Sequence, residues 1–535
     1  MEAKILVCDK IATEGIRILE SAAEVVQARE TLSEDALCEK VCAFDALVVR
    51  SATKVTGKVI ESGSRLRVIG RAGVGVDNID VDAATNRGVI VVNSPEGNTM
   101  AAAEHAVAMM LSLARNIPQA DASMKRGLWE KSKFMGAEVN RKTLGVIGVG
   151  KIGALVAERA KGLGMRVIGT DPMLTAERAK ALGIERADLP DLLREADFIT
   201  VHAAKTPDTI NLISDEEFAL MKPTARLINC ARGGIVDEDA LYRALSEGRI
   251  AGAALDVFAD EPPEDSPLPG LPNVIATPHL GASTAEAQVN VAVDVAEQIV
   301  TILNGGQPRT PVNVPVVPSE VMDRLAPYMH LLERMGRLQS QLHDRPITRV
   351  ELAYQGEIAE SSVAPLTPSF LVGLLSRSLE SAVNAVNARR VAENFGIEVH
   401  ESKSERRQDY GSLITARVVS EGRDTTVAGT VFGASDARIV RIDSYRIDVV
   451  PEGLYLFAWH RDRPGVIGTV GTLLGNENIN IAGMQLGREC PGGRAVFALG
   501  VDQPIPEPLV KRIAEMEGVE EARLIALGDP LLDGA

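Results

Sequence analysis

Short apolar segments alternate with helical segments along the N-terminal half of this 535-residue chain. The apolar segments are residues 4–9, 46–55, 67–80 and 88–99, followed by 143–150, 166–171, 197–203, 225–231, 251–258 and 273–279. Strands that are apolar on both faces and separated by helices are typical of parallel sheets covered by helices. Aromatic residues make up only 3% of the chain, so the cores must consist of Val, Ile, Leu and Ala. The sequence therefore predicts an α/β fold class with two successive parallel-sheet units.

A glycine loop stands at the beginning of the second unit. The segment GVIGVGKIG follows a predicted strand and opens a helix predicted over 151–164, with Gly148, Gly150 and Gly153 in the G-x-G-x-x-G pattern. In such loops the first glycine permits a tight turn, the second admits a pyrophosphate, and the third lets helix and strand pack closely. The helix N-terminus offers free N–H groups to the phosphates. The pattern predicts a dinucleotide site, and the alternative is a strand–helix turn that binds nothing.

The next predicted strand ends at Asp171, which bears on the choice of dinucleotide. A carboxylate at this place accepts hydrogen bonds from the adenosine ribose hydroxyls and would repel a 2′-phosphate. No arginine immediately follows Asp171. We therefore expect NAD rather than NADP as the cofactor.

The overall charge and the cysteines exclude several classes of protein. The 57 Lys and Arg residues against 73 Asp and Glu residues give a net charge of −16, which disfavours nucleic acid and anionic membranes as partners. The five cysteines contain no CxxC pair, so we expect reduced thiols, no metal site and a cytoplasmic protein. Neither a signal peptide nor an apolar stretch long enough for a membrane span is visible.

Three residues behind the glycine loop carry the side chains that oxidation of a 2-hydroxy acid requires. Arg232 lies in NCARGG, Glu261 in DEPP and His279 in TPHLGAS. A cation can hold the substrate carboxylate, an imidazole can take the hydroxyl proton, and a carboxylate can favour the protonated imidazole. Spacing alone leaves other interpretations open, namely a surface ion pair for Arg232, a solvated carboxylate for Glu261 and a structural histidine for His279.

Several motifs together resemble the D-isomer-specific 2-hydroxyacid dehydrogenase family over roughly residues 1–310. They are RAGVGVDNID (71–80), GVIGVGKIG (145–153), INCARGGIVDEDAL (228–241), ALDVFADEPP (254–263) and TPHLGAST (277–284). The resemblance implies two Rossmann-like, doubly wound parallel-sheet domains with the active site in the cleft between them. It also implies that Arg232 binds the substrate carboxylate and carbonyl, that His279 is the acid/base, and that Glu261 pairs with His279.

The same resemblance implies further contacts. Those expected for the cofactor are Gly148, Gly150, Lys151, Ile152, Gly153, Asp171, Thr99, Cys230, Ala231 and Asp256. Those expected for the substrate are Arg50, Ser51, Val74, Gly75, Asn98, Lys131 and Lys133, with Arg71 as a further candidate cation for an additional anionic group. For each of these cations, ordinary surface charge is the alternative.

The C-terminal part changes character after the proline-containing linker at 305–319. Helix is predicted over 320–342 and 369–393, strand over 348–359, and a charged turn over 401–411. From residue 453 the pattern is βαββαβ, which is ferredoxin-like. Residues 460–485 resemble an ACT domain, and relatives bind their effector through the positions of His460, Asp462 and Asn480. Arg406 and Arg407 are candidates for an anionic effector, with a solvated turn as the alternative.

These features predict four domains. The substrate-binding domain comprises 1–97 and 286–316, and the NAD-binding domain comprises 98–285. An α+β intervening domain follows over 317–452, and an ACT regulatory domain over 453–535.

The whole arrangement resembles the long-form phosphoglycerate dehydrogenase branch of the family. That resemblance implies NAD-dependent oxidation of 3-phosphoglycerate to 3-phosphohydroxypyruvate, the first step of L-serine biosynthesis, in a homotetramer with L-serine as effector. A side reduction of 2-oxoglutarate to 2-hydroxyglutarate is also expected. The alternatives are another NAD-dependent D-2-hydroxyacid dehydrogenase acting on glycerate or glyoxylate, and a non-enzymatic NAD-sensing corepressor of the same fold.

Overall fold

The computed structural model describes residues 3–376, 383–407 and 409–528 of the chain. Within these ranges the strands form two parallel sheets, one mixed sheet and one antiparallel sheet, in that order along the sequence. The predicted fold class is confirmed. The residue boundaries of the four domains stay predictions.

The first sheet has five parallel strands in the order β2-β1-β3-β4-β5. The strands are β1 (Lys4–Val7), β2 (Glu24–Gln27), β3 (Ala46–Val49), β4 (Val68–Arg71) and β5 (Ile90–Asn93). The helices between them are α1 (Thr13–Glu20), α2 (Glu34–Val41), α3 (Gly57–Ser62) and α4 (Val81–Arg87). Strand β2 was not anticipated, because this edge strand is largely exposed and lacks the apolar run that marks the others.

The second sheet has seven strands in the order β12-β11-β10-β9-β6-β7-β8, all parallel. The strands are β6 (Thr143–Ile147), β7 (Arg166–Thr170), β8 (Glu185–Arg186), β9 (Phe198–Val201), β10 (Arg226–Asn229), β11 (Gly252–Leu255) and β12 (Val274–Ala276). The helices are α5 (Thr99–Arg115), α6 (Ile117–Lys125), α7 (Lys151–Gly162), α8 (Ala176–Leu182), α9 (Leu189–Glu195), α10 (Asp215–Leu220), α11 (Glu238–Ser246) and α12 (Ala285–Leu303), with 3₁₀ turns at Lys131–Phe134 and Leu268–Gly270. The strand order reverses beside β6, and ligands of such sheets bind at this switch point.

Helix α12 returns the chain to the first sheet. The hydroxyl of Thr284 caps it by accepting the Ala287 N–H at 3.1 Å. The helix packs directly on β4, where a Cβ on Gly70 would lie 2.5 Å from Val295. The proline-containing segment then runs beside β5, since Val312 donates its N–H to Val91 at 2.7 Å. The two halves of the first domain are therefore held together by packing and backbone hydrogen bonds.

The mixed sheet has six strands in the order β14-β13-β15-β16-β17-β18. The strands are β13 (Ile347–Gly356), β14 (Glu398–Ser404), β15 (Ser412–Ser420), β16 (Arg423–Phe432), β17 (Asp436–Ile442) and β18 (Tyr445–Val449). The helices are α13 (Ser319–Leu342), α14 (Leu366–Leu375) and α15 (Ala388–Asn394), with a 3₁₀ turn at Glu357–Glu360.

Two secondary-structure predictions in this region are wrong in part. The helix predicted over 369–393 is two helices, and residues 377–382 lie outside the described residues. The break follows from the side chain of Asn384, whose Oδ1 accepts the Val386 N–H at 2.9 Å and so competes with helical bonding. The charged turn predicted over 401–411 begins inside strand β14, because pairing with β13 outweighs its polar composition.

The last sheet is antiparallel with the order β20-β21-β19-β22. Its elements are β19 (Leu454–Arg461), α16 (Val466–Asn476), β20 (Ile481–Arg488), β21 (Arg494–Val501), α17 (Glu507–Ala514) and β22 (Val519–Ala526), which is the predicted βαββαβ order. One face packs on its own helices. The opposite face shares a core with the preceding domain, since Phe457, Trp459 and Val496 belong to the same buried cluster as Leu331 and Phe370.

No helix within the described ranges is long and apolar enough to cross a bilayer.

Candidate active site

The glycine loop has the geometry that a pyrophosphate requires. Gly148 adopts φ 89°, and a Cβ there would lie 2.7 Å from the backbone nitrogen of Ala203. A Cβ on Gly153 would overlap the carbonyl oxygen of Gly148, so helix α7 approaches the loop closely. A Cβ on Gly150 meets no atom within 4 Å among the described residues, so the loop is open at that point. These three glycines fit a dinucleotide as the sequence predicts.

Asp171 lies directly after β7 and holds the glycine loop. Its Oδ2 accepts the Val149 N–H at 2.9 Å, and its Oδ1 accepts the Met173 N–H at 2.7 Å. The carboxylate therefore has a fixed position at the end of the strand, where a ribose would lie. At the start of α7, Lys151 forms an ion pair with Glu96, while Ile152 packs toward the core of the second sheet.

His279 and Glu261 are brought together by the fold. His279 Nδ1 lies 2.8 Å from Glu261 Oε2, and both side chains are partly exposed. The other oxygen of Glu261 accepts the Phe258 N–H at 3.2 Å, which fixes the carboxylate. His279 has φ 53°, an uncommon conformation for a residue with a side chain. The solvated-loop interpretation of Glu261 is therefore not supported by its contacts.

The buried carboxylate of Asp256 holds the segment that carries His279. Its Oδ1 accepts the Thr277 hydroxyl at 2.6 Å and the Leu280 N–H at 2.7 Å, while Oδ2 accepts the Gly281 N–H at 2.8 Å. The backbone oxygen of Asp256 accepts the His279 N–H at 3.0 Å. Only 1% of the Asp256 side chain is exposed, so these protein donors are its main surroundings.

Arg232 crosses from the second sheet toward the first. Its Nη1 donates to the Ala231 carbonyl at 2.8 Å, and its Nε lies 3.5 Å from Asp77 of the loop after β4. A Cβ on Gly75 would overlap the guanidinium group, so this glycine is needed for the close approach. Asp77 was not singled out from the sequence, and only its place beside RAGVGV hinted at such a role.

Two more arginines lie near Arg232. Burial, followed by the nearby guanidinium groups of Arg232 and Arg50, lowers the pKa of Arg71 to about 10. The Nε of Arg71 is buried and has no hydrogen-bond partner among the described residues. Arg50 donates to Gln288 at 3.1 Å. Three guanidinium groups lie close together beside only two nearby carboxylates among the described residues, those of Asp77 and Asp9, and an anion placed among them would relieve their repulsion.

The loops that carry Arg50 and Gly75 are held by two polar side chains that the sequence analysis missed. Asp9 accepts the N–H of Arg50 at 2.5 Å and the hydroxyl of Thr53 at 2.8 Å. Asn78 donates to the carbonyl oxygens of Arg50 and Thr53 at 2.7 and 2.6 Å.

The remaining predicted substrate contacts are placed as follows. Ser51 is exposed beside Arg50, and the N–H groups of Val74 and Gly75 donate to no acceptor in the part of the chain that the structure describes. The buried Oδ1 of Asn98 also has no partner there. Asn98 occupies the N-cap position of α5, but its side chain makes no capping hydrogen bond. Free N–H groups at a loop are suitable donors for a carboxylate.

Lys131 and Lys133 lie in the 3₁₀ turn Lys131–Phe134, and Lys133 forms an ion pair with Glu130. Within the described ranges no contact joins either lysine to the arginine group. Their interpretation as substrate contacts gains no support from the geometry of the single chain.

Two further predicted cofactor contacts directly follow β10 of the second sheet, and a third begins helix α5. Burial raises the pKa of the Cys230 thiol well above its usual value, which argues against a nucleophile. Ala231 donates its N–H to Asn229 at 3.1 Å. Thr99 begins helix α5 and points its hydroxyl at the Pro95 carbonyl at 3.4 Å.

Of the predicted effector residues, His460 lies near the end of strand β19, Asp462 directly follows that strand, and Asn480 directly precedes β20. The Gly492 N–H and the Arg488 guanidinium hold the pKa of Asp462 below its usual range, with a smaller contribution from His460. The Nε2 of the buried His460 has no partner among the described residues. Asn480 donates instead to Asp502 at 2.6 Å. His460 and Asp462 are therefore neighbours, whereas Asn480 belongs to a separate contact.

Arg407 forms an ion pair with Glu357 at 3.1 Å, and Arg406 is exposed beside Ser404. The solvated-turn interpretation of this pair is thus the better supported one.

Three family models match the chain. They are the NAD binding domain of D-isomer specific 2-hydroxyacid dehydrogenases over residues 107–281, the D-3-phosphoglycerate dehydrogenase intervening domain over 324–443, and the ACT domain over 454–518. D-3-phosphoglycerate dehydrogenase of Synechocystis is 49% identical over 526 residues, which cover 98% of this chain and 95% of that protein. The chain belongs to the D-3-phosphoglycerate dehydrogenase family. Within this family, the protein of Methanocaldococcus jannaschii is 46% identical over 525 residues, covering 98% of this chain and all of that protein.

Solved structures agree with this family. D-lactate dehydrogenase of Aquifex aeolicus, complexed with NAD and lactic acid, superimposes with a TM-score of 0.54 at 28% identity, covering 58% of this chain and 100% of that chain. The TT0316 protein of Thermus thermophilus has a TM-score of 0.53 at 33% identity, and the match covers 58% of this chain and 99% of that chain. The predictions of an NAD-dependent oxidoreductase with an ACT domain are confirmed. The roles of individual residues stay predictions.

Proposed function

We propose that this protein oxidises 3-phosphoglycerate to 3-phosphohydroxypyruvate with NAD, the first step of L-serine biosynthesis. The observation that carries the proposal is the His279–Glu261 pair at 2.8 Å, in a chain with Arg232, Arg71 and Arg50 gathered at the ends of its sheets. Oxidation of a phosphorylated 2-hydroxy acid requires an acid/base pair to take the hydroxyl proton and cations to hold the carboxylate and the phosphate. Relatives named D-3-phosphoglycerate dehydrogenase that match nearly the whole chain support this substrate.

The proton in this reaction would be handled by His279. Glu261 occupies the Nδ1 side of the ring, which leaves Nε2 to take the proton of the substrate hydroxyl. The carboxylate stabilises the imidazolium that forms and keeps the ring in one orientation. When bound, NAD would supply the redox chemistry as the hydride acceptor.

The substrate anions would be held by the arginine group. Arg232 has a planar fork of donors suited to a carboxylate, and the free N–H groups of Val74 and Gly75 lie on the loop that Arg232 approaches. Arg50 and Arg71 add positive charge for the phosphate of the same substrate. Lys131 and Lys133 remain in this proposal only as contacts to be tested.

The test is formation of NADH by the purified full chain with NAD and 3-phosphoglycerate, followed by absorbance. D-glycerate, which lacks the phosphate, and D-lactate serve as comparison substrates. We expect 3-phosphoglycerate to have the highest kcat/KM. His279→Ala should lower kcat by roughly 10²- to 10⁴-fold while NAD binding, measured by fluorescence titration, stays intact.

An equal or higher kcat/KM on D-glycerate would contradict the assignment of the substrate. The second candidate would then be a glycerate or glyoxylate dehydrogenase. Absence of turnover on every hydroxy acid, with NAD still bound, would favour the NAD-sensing corepressor instead.

We propose in addition a side reduction of 2-oxoglutarate to 2-hydroxyglutarate. This substrate carries a second carboxylate where 3-phosphoglycerate carries its phosphate, so the same arginines could hold it. Consumption of NADH on adding 2-oxoglutarate, and its loss in His279→Ala, measures this activity.

The regulatory proposal is feedback inhibition by L-serine at the ACT domain. The carboxylate of Asp462, held by the Gly492 N–H at 3.2 Å, is suited to the ammonium group of an amino acid. His460 next to it offers a buried ring nitrogen without a described partner.

The assembly proposed is a homotetramer. Two surfaces of the chain support it: the segment around α6 exposes Trp129 by 81% and Met135 by 85%, and the edge strand β20 exposes Met484 and Leu486. Apolar patches and open sheet edges of this kind are typical of contacts between copies. Light scattering of the purified protein measures the assembly directly.

The proposed location is the cytoplasm, with free cysteines as the supporting observation.

A further inference from the structure

Helix α5 places His105 against the carboxylate that holds the His279 segment. His105 Nε2 lies 3.1 Å from Asp256 Oδ1 and 3.3 Å from the Thr277 hydroxyl. The His105 side chain is 19% exposed and the Asp256 side chain only 1%, so the pair is largely shielded from water. A hydrogen bond to a carboxylate in such surroundings is stronger than one at the surface.

Asp256 does two things at once for the His279 segment. Its side chain accepts the N–H groups of Leu280 and Gly281, and its backbone oxygen accepts the N–H of His279. These bonds hold His279 in its uncommon positive-φ conformation, which sets the direction of the imidazole. The segment would lose this hold if Asp256 were neutral or turned away.

The ionised state of Asp256 depends on its neighbours. Burial raises the pKa of this carboxyl, but hydrogen bonds from His105, Thr277 and the Leu280 N–H outweigh burial and hold the pKa below its usual value. Cys230 also faces Asp256 from the end of β10, and burial keeps that thiol in the neutral form. Among these neighbours, His105 is the side chain that can donate a ring N–H to the Asp256 carboxylate.

We infer that His105 is a positioning residue for the dehydrogenase reaction, acting through Asp256 on the geometry of His279. His105 contacts neither Arg232 nor His279, since its described side-chain contacts are with Asp256 and Thr277. The inference rests on the proposed role of His279, and it adds a residue to the active site beyond Arg232, Glu261 and His279.

The test compares two replacements of His105 in the full chain. His105→Leu removes the donor, and kcat should fall roughly 10- to 100-fold because small misplacements of a reacting group have effects of this size. The affinity for NAD should change much less than kcat, although Asp256 is also an expected cofactor contact. His105→Gln keeps an N–H donor close to the position of Nε2, and it should restore most of the lost kcat.

Hydrogen exchange separates positioning from general destabilisation. In His105→Leu the backbone N–H groups of Leu280 and Gly281 should exchange faster, while those of the strand β6 should not. If His105→Leu does not fold, His105→Asn provides the second variant, because its shorter amide cannot reach Asp256. The control is Glu104→Gln, since the exposed Glu104 pairs, among the described residues, only with Arg159 at 3.7 Å, and this change should not affect kcat.

Wild-type kcat in His105→Leu or His105→Asn would overturn the inference. A His105→Gln variant as slow as the leucine variant would overturn it as well, and so would a loss confined to NAD affinity. If the unchanged chain fails to oxidise 3-phosphoglycerate, the proposed function fails, and the exchange rates at Leu280 and Gly281 still decide the role of His105.

Discussion

At the scale of single residues, the site depends on contacts between groups far apart in sequence. Arg232 is placed by its own neighbour Ala231 and by Asp77, a residue of the loop that follows β4 of the first sheet. His279 is placed by Glu261 and by Asp256. The types of these residues could be predicted from the motifs, whereas Asp77, Asp9 and Asn78 could not, because nothing local distinguishes them from solvated loop residues.

A replacement of Gly75 tests whether substrate binding needs the close approach of Arg232 to the backbone at Gly75. In Gly75→Ala the new methyl group would overlap the guanidinium group, so Arg232 must move. We expect KM for the hydroxy acid to rise by about tenfold or more, with NAD affinity unchanged, because a displaced bidentate contact loses binding energy. Steady-state kinetics over both substrates measures this.

The matched control is Gly162→Ala, at a position where a Cβ meets nothing within 4 Å among the described residues. Equal KM values for Gly75→Ala and Gly162→Ala would show that the Gly75–Arg232 contact does not matter for the substrate.

At the scale of secondary-structure elements, strand ends decide where the chemistry lies. Strand β6 leads into the glycine loop, and β7 ends beside Asp171, which accepts the Val149 N–H of that loop. These elements were predicted well because their apolar runs are separated by strong turn signals. The mixed sheet was predicted less well, since its strands carry charged residues and the asparagine break between α14 and α15 has no strong composition signal.

The choice of NAD over NADP is tested at the end of β7. We expect the double change Asp171→Ala with Pro172→Arg to raise the ratio of kcat/KM for NADP to that for NAD by about tenfold or more. The reason is that a carboxylate facing a 2′-phosphate is replaced by a cation that can pair with it.

Asp171→Ala alone is the control for the loss of the bond to Val149, because it loosens the glycine loop without adding a cation. An unchanged ratio in the double variant would remove Asp171 from the ribose contact.

At the scale of the whole molecule, the C-terminal half is joined to the dehydrogenase half through helix α4. Asn384 donates to the Gly88 carbonyl at 2.8 Å, and Arg390 forms an ion pair with Asp82 at 2.5 Å. Asp80 caps the N-terminal end of α4 and is close in sequence to Asp77 and Asn78. The intervening domain therefore contacts helix α4, which directly follows the loop that faces Arg232.

The last sheet shares a core with the intervening domain, so a point replacement tests serine inhibition better than a deletion of the C-terminal segment does. Removing residues 453–535 would uncover the cluster that contains Leu331 and Phe370, so a truncated chain would be destabilised. In Asp462→Ala we expect the serine concentration for half inhibition to rise by about tenfold or more, because a charged hydrogen bond to the ammonium group is lost. The basal kcat should remain that of the unchanged chain.

Glu517→Gln is the control, since the Glu517 side chain is 95% exposed and pairs only with Arg463, at 3.4 Å, in the part of the chain that the structure describes. Undiminished inhibition in Asp462→Ala would place the effector elsewhere.

The sequence by itself determined the order of the four sheets, the glycine loop, and the chemical types of Arg232, Glu261 and His279, because strand periodicity and turn residues are local properties. The resemblance to the family implied that Glu261 pairs with His279, and the structure brings the two together. Only the tertiary structure decided the other contacts, because it brought Arg71 and Arg50 to Arg232 and set His105 against Asp256. The physical reason is that parallel strands from distant parts of the chain end at one edge, where distances depend on packing and not on sequence separation.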